Sequence, residues 1–138
     1  MALAMVTLIL TTLVSLATIS VRNATRTKNE SLATRYSQEG IEWLRSQRDA
    51  SWVSFSNFSA PPPNGKTWCI NTLNFNSSGT CASASVITGT ALKREANLTI
   101  DLVGDPSGNT INATVKTYWS DGQGYHEQVT STDFTSWK

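Results

Sequence analysis

The sequence predicts an α+β fold, a long N-terminal α-helix packed on a small antiparallel β-sheet meander. Three observations predict it. The first 21 of 138 residues carry no charge. Residues 22–49 contain no proline and a single glycine, Gly40, and they space apolar side chains three and four apart. From residue 97 onward, apolar and polar residues alternate between turn signatures.

The first element, residues 1–21, reads MALAMVTLILTTLVSLATISV. As a helix it is ~30 Å long, about the hydrocarbon thickness of a bilayer. Two settings suit such a helix, a membrane or a bundle of copies. Leu3, Met5, Val6, Leu8, Ile9, Leu10, Leu13, Val14, Leu16 and Ile19 supply its apolar surface. No basic segment precedes the run, whereas Arg22, Arg26, Lys28 and Arg35 follow it. A secretory signal has the opposite order. The positive-inside rule would place this flank in the cytoplasm. The two cysteines and the polar remainder point instead to an exported domain. A basic leader removed ahead of Met1 would reconcile the two.

The second element, residues 22–50, continues the helix. Ala24, Leu32, Ala33, Tyr36, Ile41, Trp43 and Leu44 form one stripe among charged residues. A helix with one apolar stripe lies against a domain. The two segments together make a helix of ~70 Å, apolar all round in its first half and amphipathic in its second.

Residues 51–96 form a connecting region. WVSFSNFSAPPPNGK reads as loop, since Pro61, Pro62 and Pro63 cannot continue a helix and Asn64-Gly65 is a turn signal. Trp52, Phe55 and Phe58 are placed to cover the end of the helix. TWCINTL and ASVIT are short strand candidates. Cys69 and Cys81 enclose eleven residues with a polar, glycine-containing tip, INTLNFNSSGT. A disulfide there would stabilise by ~3 kcal/mol on a chain-entropy account, and it suits an oxidising compartment. Two free buried thiols are the alternative.

Residues 97–138 complete the sheet. In NLTIDLV, Leu98, Ile100 and Leu102 share one face. Asp105-Pro106-Ser107-Gly108 has the signature of a type I turn. TINATVKTYW then places Ile111, Ala113, Val115 and Trp119 on one face. Asp121-Gly122-Gln123-Gly124 is a second turn, and YHEQVTSTDF forms a last strand around Val129. The apolar face of this meander needs a cover, and the amphipathic half of the helix has the matching stripe.

Composition narrows the function. A formal net charge of +1 makes no case for nucleic acid as a partner. Residues 22–49 hold six basic and four acidic side chains, whereas the 89 residues from Ala50 onward hold eleven charges and 32 Ser, Thr or Asn. Such hydroxyl- and amide-rich surfaces are common on exported proteins. His126 is the only histidine, placed on the polar side of its strand with no nucleophile beside it, so no enzyme chemistry is expected. No cofactor and no metal site are expected either. Asp121 and Asp133 flank the last strand without a cluster of oxygen ligands around them. Trp52, Trp68, Tyr118, Trp119 and Trp137 suit core packing better than a sugar-binding face. Asn-x-Ser/Thr sequons begin at Asn23, Asn29, Asn57, Asn76, Asn97 and Asn112. Their density follows in part from composition. Asn97 and Asn112 fall on polar strand faces, where a glycan would not disturb the core.

The order of these elements resembles a type IV pilin or pseudopilin. The stretch QEGIEWLRSQRD over residues 38–49, followed by Trp52, is similar to the end of the long helix in bacterial pilin-like proteins. VKTYWSDG over 115–122, with FTSW over 134–137, resembles their closing strands. The resemblance implies a structural subunit of a surface filament, serving adhesion, surface motility or DNA uptake. It implies cleavage by a prepilin peptidase, N-methylation of Met1, and residence in the inner membrane before assembly. It also implies a helical polymer with itself or other pilins, raised by the pilus assembly machinery. Two positions depart from the family. Met5 stands where most members have glutamate, and Arg22 where many have proline. The neighbouring N-terminal amine would then be met by a backbone carbonyl or by a hydroxyl such as Thr7 or Thr11, or would be uncharged. Alternatively the subunit would sit at the tip as a minor pilin. A secretion-system pseudopilin shares the fold. A signal-anchored monomeric surface protein that binds a ligand is the reading of a different class.

Overall fold

The computed structural model describes the backbone of residues 2–136 and side chains from Leu10 to Ser136. Met1, Trp137 and Lys138 lie outside the described residues, as do the side chains of Leu3, Met5, Val6, Leu8 and Ile9. The chain is α+β. Helix α1 spans Ala2–Ala50 and is followed by a one-turn helix α2, Trp52–Ser56. Four strands follow, β1 Lys66–Cys69, β2 Lys93–Ile100, β3 Thr110–Asp121 and β4 Gly124–Thr135. They form one antiparallel sheet in the order β1-β2-β3-β4. The chain divides into two compact units, residues 1–32 and 33–138.

Within the second unit the helix lies on one face of the sheet. Ala33, Ser37, Gly40, Ile41 and Leu44 are its buried positions, spaced three and four apart. Opposite them, Ala96, Leu98, Ile111, Ala113 and Val115 are fully buried. Gly40 sets the approach. A Cβ there would stand 2.9 Å from Val115 Cγ1 and 3.2 Å from Arg94 Cδ, so a side chain would push the helix off the sheet. Ser37 donates to Thr117 Oγ1 at 2.8 Å, closing a polar gap in the same interface.

Arg94 ties three segments together and is 1% exposed. Its guanidinium donates to the Tyr36 carbonyl at 2.9 Å, to Glu39 Oε2 at 2.7 Å and to the Ile70 carbonyl at 3.2 Å. A buried guanidinium is stable only with its donors met in this way. At the end of the helix, Phe55 packs edge-on to Phe134 with ring centroids 5.6 Å apart. Beside them Phe58 stacks on Phe75 at 4.0 Å and meets Trp68 edge-on at 5.4 Å.

Several elements differ from the sequence expectation. Residues 52–56 form a helical turn rather than loop, because Ser51 caps it by accepting from the Ser54 N–H. ASVIT is not a strand. Its segment is held by a turn in which Ile87 N–H bonds the Leu92 carbonyl at 2.8 Å. Strand β2 begins at Lys93, inside the region read as connecting loop, and ends at Ile100. Leu102 is therefore exposed at 44% rather than on the inner face. The Asp101 carboxylate stops the strand by accepting the Val103 and Gly104 N–H groups. In β4 it is Phe134 that is buried, and Val129 points outward. A β-turn is present at the expected place, with Gly108 N–H bonded to the Asp105 carbonyl at 3.0 Å.

Candidate functional site: an uncovered apolar helix and the outer face of the head

In the first unit, Leu10, Leu13, Val14, Leu16, Ile19 and Val21 are all exposed, between 55% and 67%. At 100° per residue they spread over roughly 220° of the helix surface, with Thr11, Ser15 and Thr18 in the remaining arc, so packing against one neighbour would not hide them all. Burying each would be worth about 1.5–3 kcal/mol. A continuous apolar surface of this kind marks an interaction or membrane site. The interspersed hydroxyls do not spoil it. Ser15 Oγ donates to the Thr11 carbonyl at 3.0 Å and Thr18 Oγ1 to the Val14 carbonyl at 2.9 Å. Such back-bonding satisfies a hydroxyl inside its own helix, which lowers the cost of entering an apolar medium. Among the described residues no helix is long and apolar enough to cross a membrane. That statement excludes the side chains of the first nine positions.

In the second unit the outer face of the sheet is polar and ordered. Asn112 donates to Asp133 at 2.8 Å, Thr114 meets Ser131 at 2.9 Å, and Asn97 bonds Thr67 Oγ1 and the Asn64 carbonyl, both at 3.0 Å. Beside this ladder lies an aromatic and charged cluster. Tyr118 and Tyr125 have ring centroids 5.7 Å apart, and Lys93 and Lys116 sit over the Tyr118 ring at 5.9 and 5.1 Å. Tyr118 donates to the buried Glu95 at 2.5 Å. Burial and that carboxylate raise its phenol well above the ordinary range. Tyr125 is pushed up to about 12, first by burial and then by Glu127, which accepts its proton at 2.8 Å.

Cys69 and Cys81 form a disulfide. Glu95 anchors the second cysteine, accepting the Cys81 N–H at 2.8 Å. A groove of about 410 Å³ runs beside the bridge, lined by Asn71, Asn74, Asn76, Ser85 and Val86 among others. Of the sequon asparagines, Asn57 and Asn76 are exposed in turns, whereas Asn97 and Asn112 have their amides engaged in the strand ladder described above.

His126 does not lie on the polar face, as its place in the sequence suggested. It pairs with Trp119 across the hairpin and shares its inward face, stacking on that ring at 5.2 Å. Its Nε2 is 3.1 Å from Asp121 Oδ1. The Asp121 carboxyl is held below its usual value, chiefly by the Gln123 N–H and then by His126. Among the described residues no three His, Cys, Asp or Glu side chains gather as a metal site.

Periodicity alone did not point to Ser37, Arg94 or Glu95 as buried, because polar residues carry no inward signal until their partners are known. No family model matches the chain, and neither a curated protein nor a solved structure matches it.

Proposed function

We propose that the chain is a structural subunit of a type IV pilin-like surface filament, held in the membrane by its N-terminal helix and then polymerised through it. The observation that carries this reading is the uncovered apolar surface from Leu10 to Val21. Water disfavours that surface, whereas lipid and a bundle of copies both accept it. One segment would then serve as anchor and as polymer core. The ordered polar head, closed by a disulfide, suits display outside the cell. Cleavage and N-methylation at Met1 belong to the same proposal and rest on the resemblance of the helix-end and closing-strand sequences to pilins.

The test is negative-stain microscopy of sheared surface material with an antibody raised against residues 50–138. Labelled fibres support the filament. Label confined to the membrane fraction would favour a monomeric anchored protein and end the filament reading. Loss of an exported enzyme on gene deletion, with fibres intact, would assign the subunit to a secretion pseudopilus instead.

A further inference from the structure

The sheet has two edges, and within residues 33–136 they are built differently. β1 has four residues and is covered. Cys69 N–H bonds the Ser77 carbonyl at 3.0 Å and Gly79 N–H bonds the Thr67 carbonyl at 2.8 Å, so the disulfide loop closes that edge. β4, the opposite edge, runs for twelve residues. Lysine, proline and bulges are what ordinarily keep a long edge from pairing. β4 contains no lysine, arginine or proline, and its register with β3 passes from Gly124 to Thr135 without a bulge.

The ladder shows which backbone groups of β4 face outward. Ser136 N–H bonds the Asn109 carbonyl at 3.0 Å, one step beyond the Thr110–Thr135 pair. Antiparallel ladders alternate, so the even-numbered residues of β4 exchange hydrogen bonds with β3. Tyr125, Glu127, Val129, Ser131 and Asp133 therefore direct their N–H and C=O groups away from β3. Among the described residues of this unit, no hydrogen bond from another element reaches those groups. The side chains of the same residues are exposed.

An open edge of this kind takes a further strand, and the sequence of β4 complements itself. About a two-fold axis at Val129, Tyr125 stands opposite the second copy's Asp133, Glu127 opposite its Ser131, and Val129 opposite its Val129. No like charges meet. A shift either way is worse. Centring on Thr130 sets Glu127 opposite Asp133, and like charges directly opposite are destabilising. Centring on Gln128 runs Asp133 past the partner strand onto its turn at Gln123. We propose that β4 of one copy pairs antiparallel with β4 of a second about an axis at Val129, joining the two sheets edge to edge. Because the β1 edges are closed, the pairing stops at two copies. The contact lies in the head and goes beyond the filament reading. In a polar filament, a two-fold contact of this kind joins heads of separate filaments.

The test is cysteine cross-linking of the full chain in detergent, read on a non-reducing gel. Residues in a hydrogen-bonded antiparallel pair stand about 5.5 Å apart at Cα, within reach of a disulfide. Val129→Cys links two copies. Glu127→Cys and Ser131→Cys each link about tenfold less alone, and link fully when mixed. Equal linking by all three variants alone marks random encounter and overturns the pairing, as does no linking at Val129. Adding Val129→Pro to both chains of the mixture cuts its link about tenfold, because the lost N–H bonds only the second copy. An undiminished link overturns the pairing. If proline lowers the melting temperature of the head, Val129→Lys replaces it. That change sets like charges across the axis and cuts the link about fivefold, and an undiminished link again overturns the pairing. The assay reads the head alone, so its outcome stands whether or not fibres form.

Discussion

The two units of this chain solve the hydrophobic problem in opposite ways. In residues 33–138, buried apolar side chains from the helix, α2 and all four strands form one cluster, and even Arg94 and Ser37 are enclosed with hydrogen-bond partners. In residues 10–21, Leu10, Leu13, Val14, Leu16, Ile19 and Val21 are each more than half exposed. The same residue types thus carry different information. In the head they explain stability. In the helix they do not, because they stand exposed within their own unit, and the filament proposed above would bury them in lipid or against other copies.

Breaking the contrast on the helical side has the largest expected effect. Leu13→Asp places an unpaired carboxylate in any apolar setting the helix enters, at a cost of several kcal/mol. Fibre yield by microscopy should fall to nothing, while the melting temperature of the head stays unchanged. A head that melts early would show that the two units are not independent. The converse variant is Phe134→Ala, which empties a buried site against Phe55 and Arg48 and should cost about 3–5 kcal/mol. Denaturant unfolding measures it, and a loss under ~1 kcal/mol would show that this ring is not part of the core.

Cys69→Ser should cost about 3 kcal/mol by releasing the loop it closes. Loss of protease resistance confined to residues 70–92 is the expected pattern, and unchanged resistance would make the bridge unimportant. Gly40→Ala sharpens the comparison further, since the new methyl meets Val115 at 2.9 Å. A destabilisation of roughly 1–2 kcal/mol is expected, whereas the helix propensity of alanine alone would stabilise. The sign therefore tells whether close approach governs that position.

The smallest effect is at high pH. The neutral form of Tyr125 is favoured in the folded head, with its pKa raised to about 12 from 10.0. Its contribution to stability is complete below pH 10 and is lost as pH rises toward 12. Titration of phenolate absorbance should show delayed ionisation, and Glu127→Gln should move part of it back toward the ordinary range.

Much of the fold was legible because it is periodic. The helix stripe, the alternation in β3, both turns around the last strands and the Cys69–Cys81 pair were read from spacing alone. Local capping was not. The Ser51 cap turned a stretch containing Trp52 into helix, and the Asp101 carboxylate ended β2 two residues before Leu102, because each depends on one side chain finding one N–H. His126 was assigned to the wrong face, since a mostly polar edge strand does not announce its phase, and only its pairing with Trp119 decides it.

The sequence by itself determined the long helix, the alternation of β3 and the apolar run that opens the chain. Hydrophobic period and an uncharged run of 21 residues are one-dimensional properties that survive without knowledge of any contact. Only the tertiary structure decided which polar residues are interior and which charges pair inside the head. Arg94, Glu95 and Ser37 are buried because acceptors and donors from distant segments converge on them. Arg94 finds its carboxylate, Glu39, 55 positions away in the sequence. Burial and ion pairing depend on distances between residues far apart in sequence, and those distances exist only once the chain has folded.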